Sequence, residues 1–346
     1  MRTLIIGGGV IGLSIGWQLV RRRRHVEIFE RTTVGKEASW AAAGMLAPYS
    51  EDDSHLQLGC MSLALYPQFL QELNEDSKID LSLERQGTLY AGIDRDDRLF
   101  LEHLLHDLRK KSLQVEWLSG KEAREKEPLL SPRVFTALWI PSETHIQNRK
   151  LLESLKTAFQ NQGGILHEHC PVQRLWIHDG CLRGLWTTEP IAGNFVINTA
   201  GAWADLIHTI SSAPIYPNKG QILTLSMSAG MTLSHMIRTP RVYLVPKSDG
   251  LLRVGATSEE VGFDQTVTAG AVLGLLQAAY EVIPAIACLP LQEAEAKLRP
   301  ASYDRLPCIE ETELKGYFRA VGHGRSGILL APYTAYEMVR ILCKSE

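Results

Sequence analysis

The first thirty residues change hydrophobic period twice. Thr3-Leu4-Ile5-Ile6 is a short unbroken apolar run, suited to a strand buried on both faces. After a glycine cluster, Ile11, Ile15, Leu19 and Val20 recur at helical spacing. His25-Val26-Glu27-Ile28-Phe29-Glu30 then alternates toward a second strand that ends on an acid. Further along, Phe195-Val196-Ile197-Asn198 and Tyr317-Phe318-Arg319-Ala320-Val321 read as strands, the latter feeding a helix from about Gly327 to Leu342. Gln221 to Ser226, Arg241 to Pro246 and Leu251 to Thr257 alternate at period two, with a turn at Ser248-Asp249-Gly250. Ala269 to Ile283 repeats apolar residues at helical spacing and stops at Pro284.

The glycine cluster carries the first chemistry. Gly7-Gly8-Gly9-Val10-Ile11-Gly12 satisfies G-x-G-x-x-G between a strand and a helix. Gly7 permits the tight turn, Gly9 lets the backbone approach a pyrophosphate, and Gly12 lets helix and strand pack closely. The helix N-terminus offers unpaired N–H groups and a positive dipole to phosphates. Glu30 closes the second strand where a carboxylate can accept from ribose hydroxyls, which disfavours a 2′-phosphate and hence NADP. On this motif FAD and NAD both stay open.

Composition narrows the classes. The 346 residues suit two packed domains and are 45% hydrophobic and 22% charged, an ordinary globular balance. A net charge of −3 provides no basic field for nucleic acid. The six cysteines show no C-x-x-C, and no His cluster falls at metal spacing. Neither a disulfide framework nor a metal site is expected, but buried thiols in a reducing, cytoplasmic compartment. Thr3 to Val20 is nearly devoid of polarity and precedes Arg21-Arg22-Arg23-Arg24, as a membrane anchor would. Those charges follow the apolar run where a signal peptide has them first, and the run's glycines weaken a spanning helix. A soluble chain is expected, with the arginines at a solvated helix end.

Gly35-Lys36-Glu37-Ala38-Ser39-Trp40-Ala41-Ala42-Ala43-Gly44-Met45-Leu46-Ala47-Pro48 is small, apolar and hydroxyl-bearing. By itself it suits either an Ala-rich helix or a backbone lying close against a flat ligand. With its neighbours it resembles the D-amino-acid oxidase-like flavoproteins, most closely the glycine oxidases of thiamine synthesis. The likeness recurs in order at Phe195 to Trp203, Val242 to Pro246, Gly255-Ala256-Thr257, Leu298-Arg299-Pro300 with Asp304 and Pro307, and Gly322 to Pro332.

The resemblance implies an α/β (α+β overall) fold of glutathione-reductase and D-amino-acid-oxidase type. A Rossmann-like FAD-binding domain would come from residues 1–80, 145–215 and 296–346. A mostly antiparallel-sheet substrate domain would come from 81–144 and 216–295. It further implies noncovalent FAD held by Gly7, Gly9, Val10, Ile11, Gly12, Glu30, Arg31, Ala38, Ser39, Ala43, Gly44, Met45, Val172, Gly201, His323, Gly324, Arg325, Ser326, Gly327, Ile328 and Leu329. No cysteine lies between Pro290 and Pro307, where sarcosine oxidases of the superfamily tether flavin. The helix start after Arg325 would aim a positive dipole at the charge gathering on a reduced flavin.

By the same resemblance the substrate is a small amine or amino acid, O2 is the acceptor, and a homo-oligomer is plausible. Arg299 would clamp the substrate carboxylate, since a guanidinium matches it bidentately, with help from Tyr243 and, secondarily, Arg325. His323 is expected to contribute backbone contacts rather than proton transfer, and Glu51 falls where the family can place a pocket-edge acid. Glu295-Ala296-Lys297 stands where the family often has Trp-x-Gly, and Ser258 where a larger apolar residue can stand. Arg241, two residues before Tyr243, is expected to share its strand face and to present a cation to the flavin. D-Amino-acid or sarcosine oxidation, a dehydrogenase with another acceptor, and a flavin-binding protein with a degenerate pocket remain alternatives.

Overall fold

A computed structural model describes residues 1–50, 53–111, 113–208, 214–228 and 230–344. The apolar runs assemble into one six-stranded sheet, in spatial order Cys308–Glu311, Tyr317–Val321, Phe195–Asn198, Arg2–Ile6, His25–Phe29 and Ile165–His167. Every neighbouring pair is parallel except the first. Ile5 of the central strand stands between Ile197 and Ile28.

Both faces of this sheet are covered, which explains strands with no polar alternation. On one face the helices Val10–Val20, Asp53–Ser77, Asn148–Asn161 and Gly327–Leu342 pack on one another, sharing a core that includes Leu13, Tyr66, Phe69, Phe159 and Met338. On the other, Leu175 and Leu185 of a small three-stranded antiparallel sheet cover Leu4, Ile6, Phe29 and Val196.

A second sheet has eight strands, in order Leu291–Ser302, Ile215–Ser226, Leu251–Gly255, Tyr243–Pro246, Met236–Arg238, Thr88–Gly92, Thr136–Ile140 and Glu116–Ser119. All its pairs are antiparallel save Met236–Arg238 with Thr88–Gly92. One face buries Leu223, Leu225 and Val254 against Leu275, Ala279 and Val282 of the helix Ala269–Val282. The opposite face brings Ile222, Tyr243 and Val245 against Ala41 and Ala43. The two sheets therefore meet across the alanine-rich segment.

Three details depart from the pattern. Residue 296, the expected boundary, lies inside one continuous strand that pairs as far as Ser302 with Ile215. Arg241 precedes the strand that begins at Tyr243. Cys181, Cys288 and Cys343 are exposed rather than buried. The helix Val10–Val20 ends before the arginines, of which Arg21 pairs with Glu72 and, at 3.0 Å, with Asp76. Among the described residues no helix is long and apolar enough to cross a membrane.

Candidate active site

The turn out of the first strand leaves no room for side chains. Gly7 has φ +100°, and a β-carbon there would come within 2.6 Å of the Thr199 carbonyl oxygen. A β-carbon at Gly12 would collide with the Gly7 carbonyl, so the helix lies directly against the turn. Gly9 caps that helix with no side-chain bond to its first turn, while the Val10 N–H donates to Ser39 Oγ at 3.1 Å. Glu30 is fixed by its neighbours: Oε2 accepts from the Gly8 N–H at 2.9 Å, and Oε1 from the Thr32 N–H at 2.9 Å and its hydroxyl at 3.1 Å. Each carboxylate oxygen keeps capacity for another donor. Arg31 stacks on Trp203, 3.4 Å from the ring centroid, and donates to Glu37 Oε1 at 2.7 Å.

The alanine-rich segment is helical only over Ala38–Ala41. It is then drawn out through Ala42 and Ala43 to Gly44, whose φ is +74° and whose β-carbon would strike the Ile146 carbonyl. Two buried cations, Arg253 in the second sheet and Lys247 just after its strand Tyr243–Pro246, hold it there. Arg253 donates to the Ala41 carbonyl at 2.8 Å, and Lys247 donates to the carbonyls of Ala43 and Ile146.

The last loop turns through Gly322 and Gly324 at φ +79° and +52° into the helix Gly327–Leu342, whose N-cap Ser326 makes no side-chain cap. The His323 ring is buried and meets Thr334 Oγ1 at 2.9 Å; burial lowers its pKa to about 3, so the imidazole is neutral.

These segments face one cavity of about 910 Å³, large for a small-molecule site. Gly7, Gly9, Val10, Ile11, Glu30, Arg31, Ala38, Ser39, Ala43, Gly44, Met45, Val172, Gly201, His323, Gly324, Arg325, Ser326, Gly327, Ile328 and Leu329 all line it, as do Arg299 and Tyr243. Gly12 alone of the expected set stands behind the wall, packed against Gly7. Glu51 lies outside the described residues.

Also on the cavity wall, Arg299, opposite Asn218 in the sheet, lies over Gly220 and donates to Asn218 Oδ1 at 3.2 Å and the Thr257 carbonyl at 3.0 Å. The Tyr243 phenol lies near enough for the two groups to influence each other's ionisation. Burial pushes the phenol's pKa up, opposed by the Arg299 charge. Burial lowers the Arg299 pKa; Tyr243 opposes this and Arg325 adds to it. Arg325 itself is exposed at the cavity edge.

The family departures have local uses. Glu295 accepts from Arg149 and Arg253, both at 3.1 Å, and Lys297 lies 3.5 Å from Glu37. The Ser258 hydroxyl donates to Asn218 Oδ1 at 3.1 Å. Arg241 corrects an expectation: it reaches the cavity edge, but its guanidinium is engaged by Asp94 and Asp97 at 3.1 and 3.0 Å. Sequence reasoning missed Lys247 and Arg253, although a cation beside or within an apolar strand is a legible signal.

Two uncapped helix starts, a side-chain-free turn and a fixed acid converge on one long cavity, a combination that defines a dinucleotide-cofactor protein and fits FAD. The FAD dependent oxidoreductase family (DAO) matches residues 2–341, and the chain belongs to it; FAD is its cofactor. The glycine oxidase of Geobacillus kaustophilus (strain HTA426) is 33% identical, over 99% of this chain and 93% of its own. The crystal structure of glycine oxidase from Geobacillus kaustophilus superposes with a TM-score of 0.93, covering 100% of this chain and 95% of that one at 33% identity. The bifunctional protein ThiO/ThiG of Trichormus variabilis (strain ATCC 29413 / PCC 7937) is 32% identical over 96% of this chain, which spans 51% of that protein. Iminodiacetate oxidase from Chelativorans sp. BNC1 superposes with a TM-score of 0.89 at 27% identity, over 99% of this chain and 95% of that one.

Proposed function

We propose that this chain oxidises glycine, or another small amine or amino acid, to the imine, with O2 as the final acceptor and hydrogen peroxide as its product. The observation that carries the reading is the Arg299–Tyr243 pair, set in the same cavity as the dinucleotide turn. Relatives named glycine oxidase and ThiO/ThiG support it, and hydrolysis of a glycine imine to glyoxylate and ammonia, or its use in thiazole synthesis, would follow.

FAD, when bound, supplies the two-electron acceptor for the hydride leaving the substrate Cα. In this reading the cofactor is held by the cavity-lining residues of the Gly7 turn, Glu30 and Arg31, the Ala38–Met45 segment, Val172, Gly201 and the His323–Leu329 loop. Arg299 binds the substrate carboxylate through its fork, and Tyr243 donates its hydroxyl to the same group. Fixing the carboxylate orients Cα, and holding the reacting atom in place removes part of the barrier to such a step. An amine that binds neutral needs no base, and His323, one of the two histidines that line the cavity among the described residues, is neutral and occupied by Thr334.

Anaerobic mixing tests the reading. Glycine, sarcosine or D-alanine bleaching the yellow colour, followed by peroxide on admitting air, is the expected result. Bleaching without peroxide points to a dehydrogenase, and a broad amine panel that bleaches nothing overturns amine oxidation.

A further inference from the structure

The cation under the Ala38–Met45 segment has no part in the chemistry above. Lys247 is 6% exposed, and its ammonium donates to the carbonyls of Ala43 and, at 2.9 Å, Ile146. Both acceptors are neutral, and among the described residues no carboxylate lies within ion-pair distance of this ammonium. Burying a charge with only neutral partners is costly, and a neutral donor could make the same bonds with less desolvation.

What the ammonium touches gives the charge a use. The Ala43–Gly44 peptide is trans, so its N–H points opposite to the carbonyl that Lys247 holds. That N–H has no acceptor among the described residues, while Ala43, Gly44 and Met45 line the cavity that Lys247 does not. Residue 44 must be glycine for this approach, because a β-carbon would strike the Ile146 carbonyl and come within 3.0 Å of the Lys247 nitrogen.

We propose that Lys247 is a positioning residue for cofactor reduction: it turns the Ala43–Gly44 N–H toward the cavity and places behind it a positive charge that stabilises the electrons FAD gains. The inference rests on the cavity holding FAD. The titratable groups facing Lys247 are Glu84, His145, Asp249, Arg253 and Arg149. Burial dominates, Glu84 and Asp249 oppose it, and the arginines add to it, leaving the Lys247 pKa at about 7.

The test uses the FAD-loaded full chain and its midpoint potential, measured against reference dyes. Lys247→Gln keeps a donor and removes the charge. It is expected to retain FAD yet lower the equilibrium constant for reduction about tenfold, roughly 30 mV for a two-electron couple. Lys247→Arg is expected to restore the potential. In the unaltered protein the potential should fall more steeply with pH above about 7, because reduction then draws a proton onto Lys247, and Lys247→Gln should lack that change of slope. A Lys247→Gln potential equal to that of the unaltered protein on both sides of pH 7 overturns the proposal. So does an unaltered protein whose slope is the same on both sides, which decides the matter even if no variant folds. Failure to bind FAD at all would overturn the cofactor assignment instead.

Discussion

Tyr243 lies across Gly255, its partner in the antiparallel pair, so closely that a β-carbon at residue 255 would come within 2.6 Å of the phenol oxygen. Arg299, whose own partner is Asn218, reaches over Gly220 two positions along the same neighbouring strand, where a β-carbon would meet the guanidinium. Both proposed clamp groups therefore rest on glycines of neighbouring strands. Gly255→Ala and Gly220→Ala should each displace a clamp group while leaving the dinucleotide turn intact. A charge-assisted hydrogen bond contributes about 1.5–3 kcal/mol, so KM for the amine substrate should rise on the order of ten- to a hundredfold. FAD content, read from absorbance, should not change. Unaltered KM in both variants would remove the clamp assignment.

Arg299→Lys tests the fork itself. A lysine keeps the charge but not the two parallel donors, and it leaves Asn218 Oδ1 and the Thr257 carbonyl with a poorer partner. Steady-state kinetics should show the loss mainly in KM. A fall in kcat alone would mean that Arg299 acts on the reacting centre and not on the carboxylate.

FAD should be held without a covalent bond. No cysteine lines the cavity among the described residues, and Cys308, just beyond the Pro290–Pro307 stretch, has its thiol pushed up to about 12, first by burial and then by Glu310. Acid precipitation should leave a white pellet and a yellow supernatant. Colour retained by the pellet would disprove the point.

His323 and His145 give the protein an acid limit. Burial depresses both to a pKa of about 3, from an ordinary value near 6.5. Their contribution is complete above the unfolded pKa and is lost as pH falls from there toward 3, by about 1.4 kcal/mol per pH unit for each. His323→Gln should therefore narrow the loss of stability between pH 7 and pH 5 by about 2 kcal/mol. Urea midpoints at the two pH values measure this, and an equal loss in variant and parent would refute it.

Much of the fold is legible in the chain because it rests on local period. Thr3 to Ile6, His25 to Phe29 and Phe195 to Asn198 are apolar without alternation since the sheet they form is covered on both faces. Ala38 to Met45 was ambiguous for a physical reason: alanine favours helix, and the segment is drawn out after Ala41 by contacts from Arg253, Lys247 and Ile146, residues remote in sequence. Arg241 was misplaced because the acids that engage it, Asp94 and Asp97, belong to another part of the chain. Tertiary partners of this kind leave no trace in spacing.

Segments from opposite extremes of the described residues wall the cavity: the Gly7 turn on one side and the Gly322–Leu329 loop on the other. The helices that follow them, Val10–Val20 and Gly327–Leu342, pack into one core. Contacts so distant in sequence form slowly and late. A chain emerging from the ribosome, at roughly 5–20 residues per second, would complete its first βαβ unit long before this wall exists. Nascent fragments that stop short of Gly322 should thus bind flavin weakly or not at all, making cofactor capture wait on the Gly322–Leu329 loop.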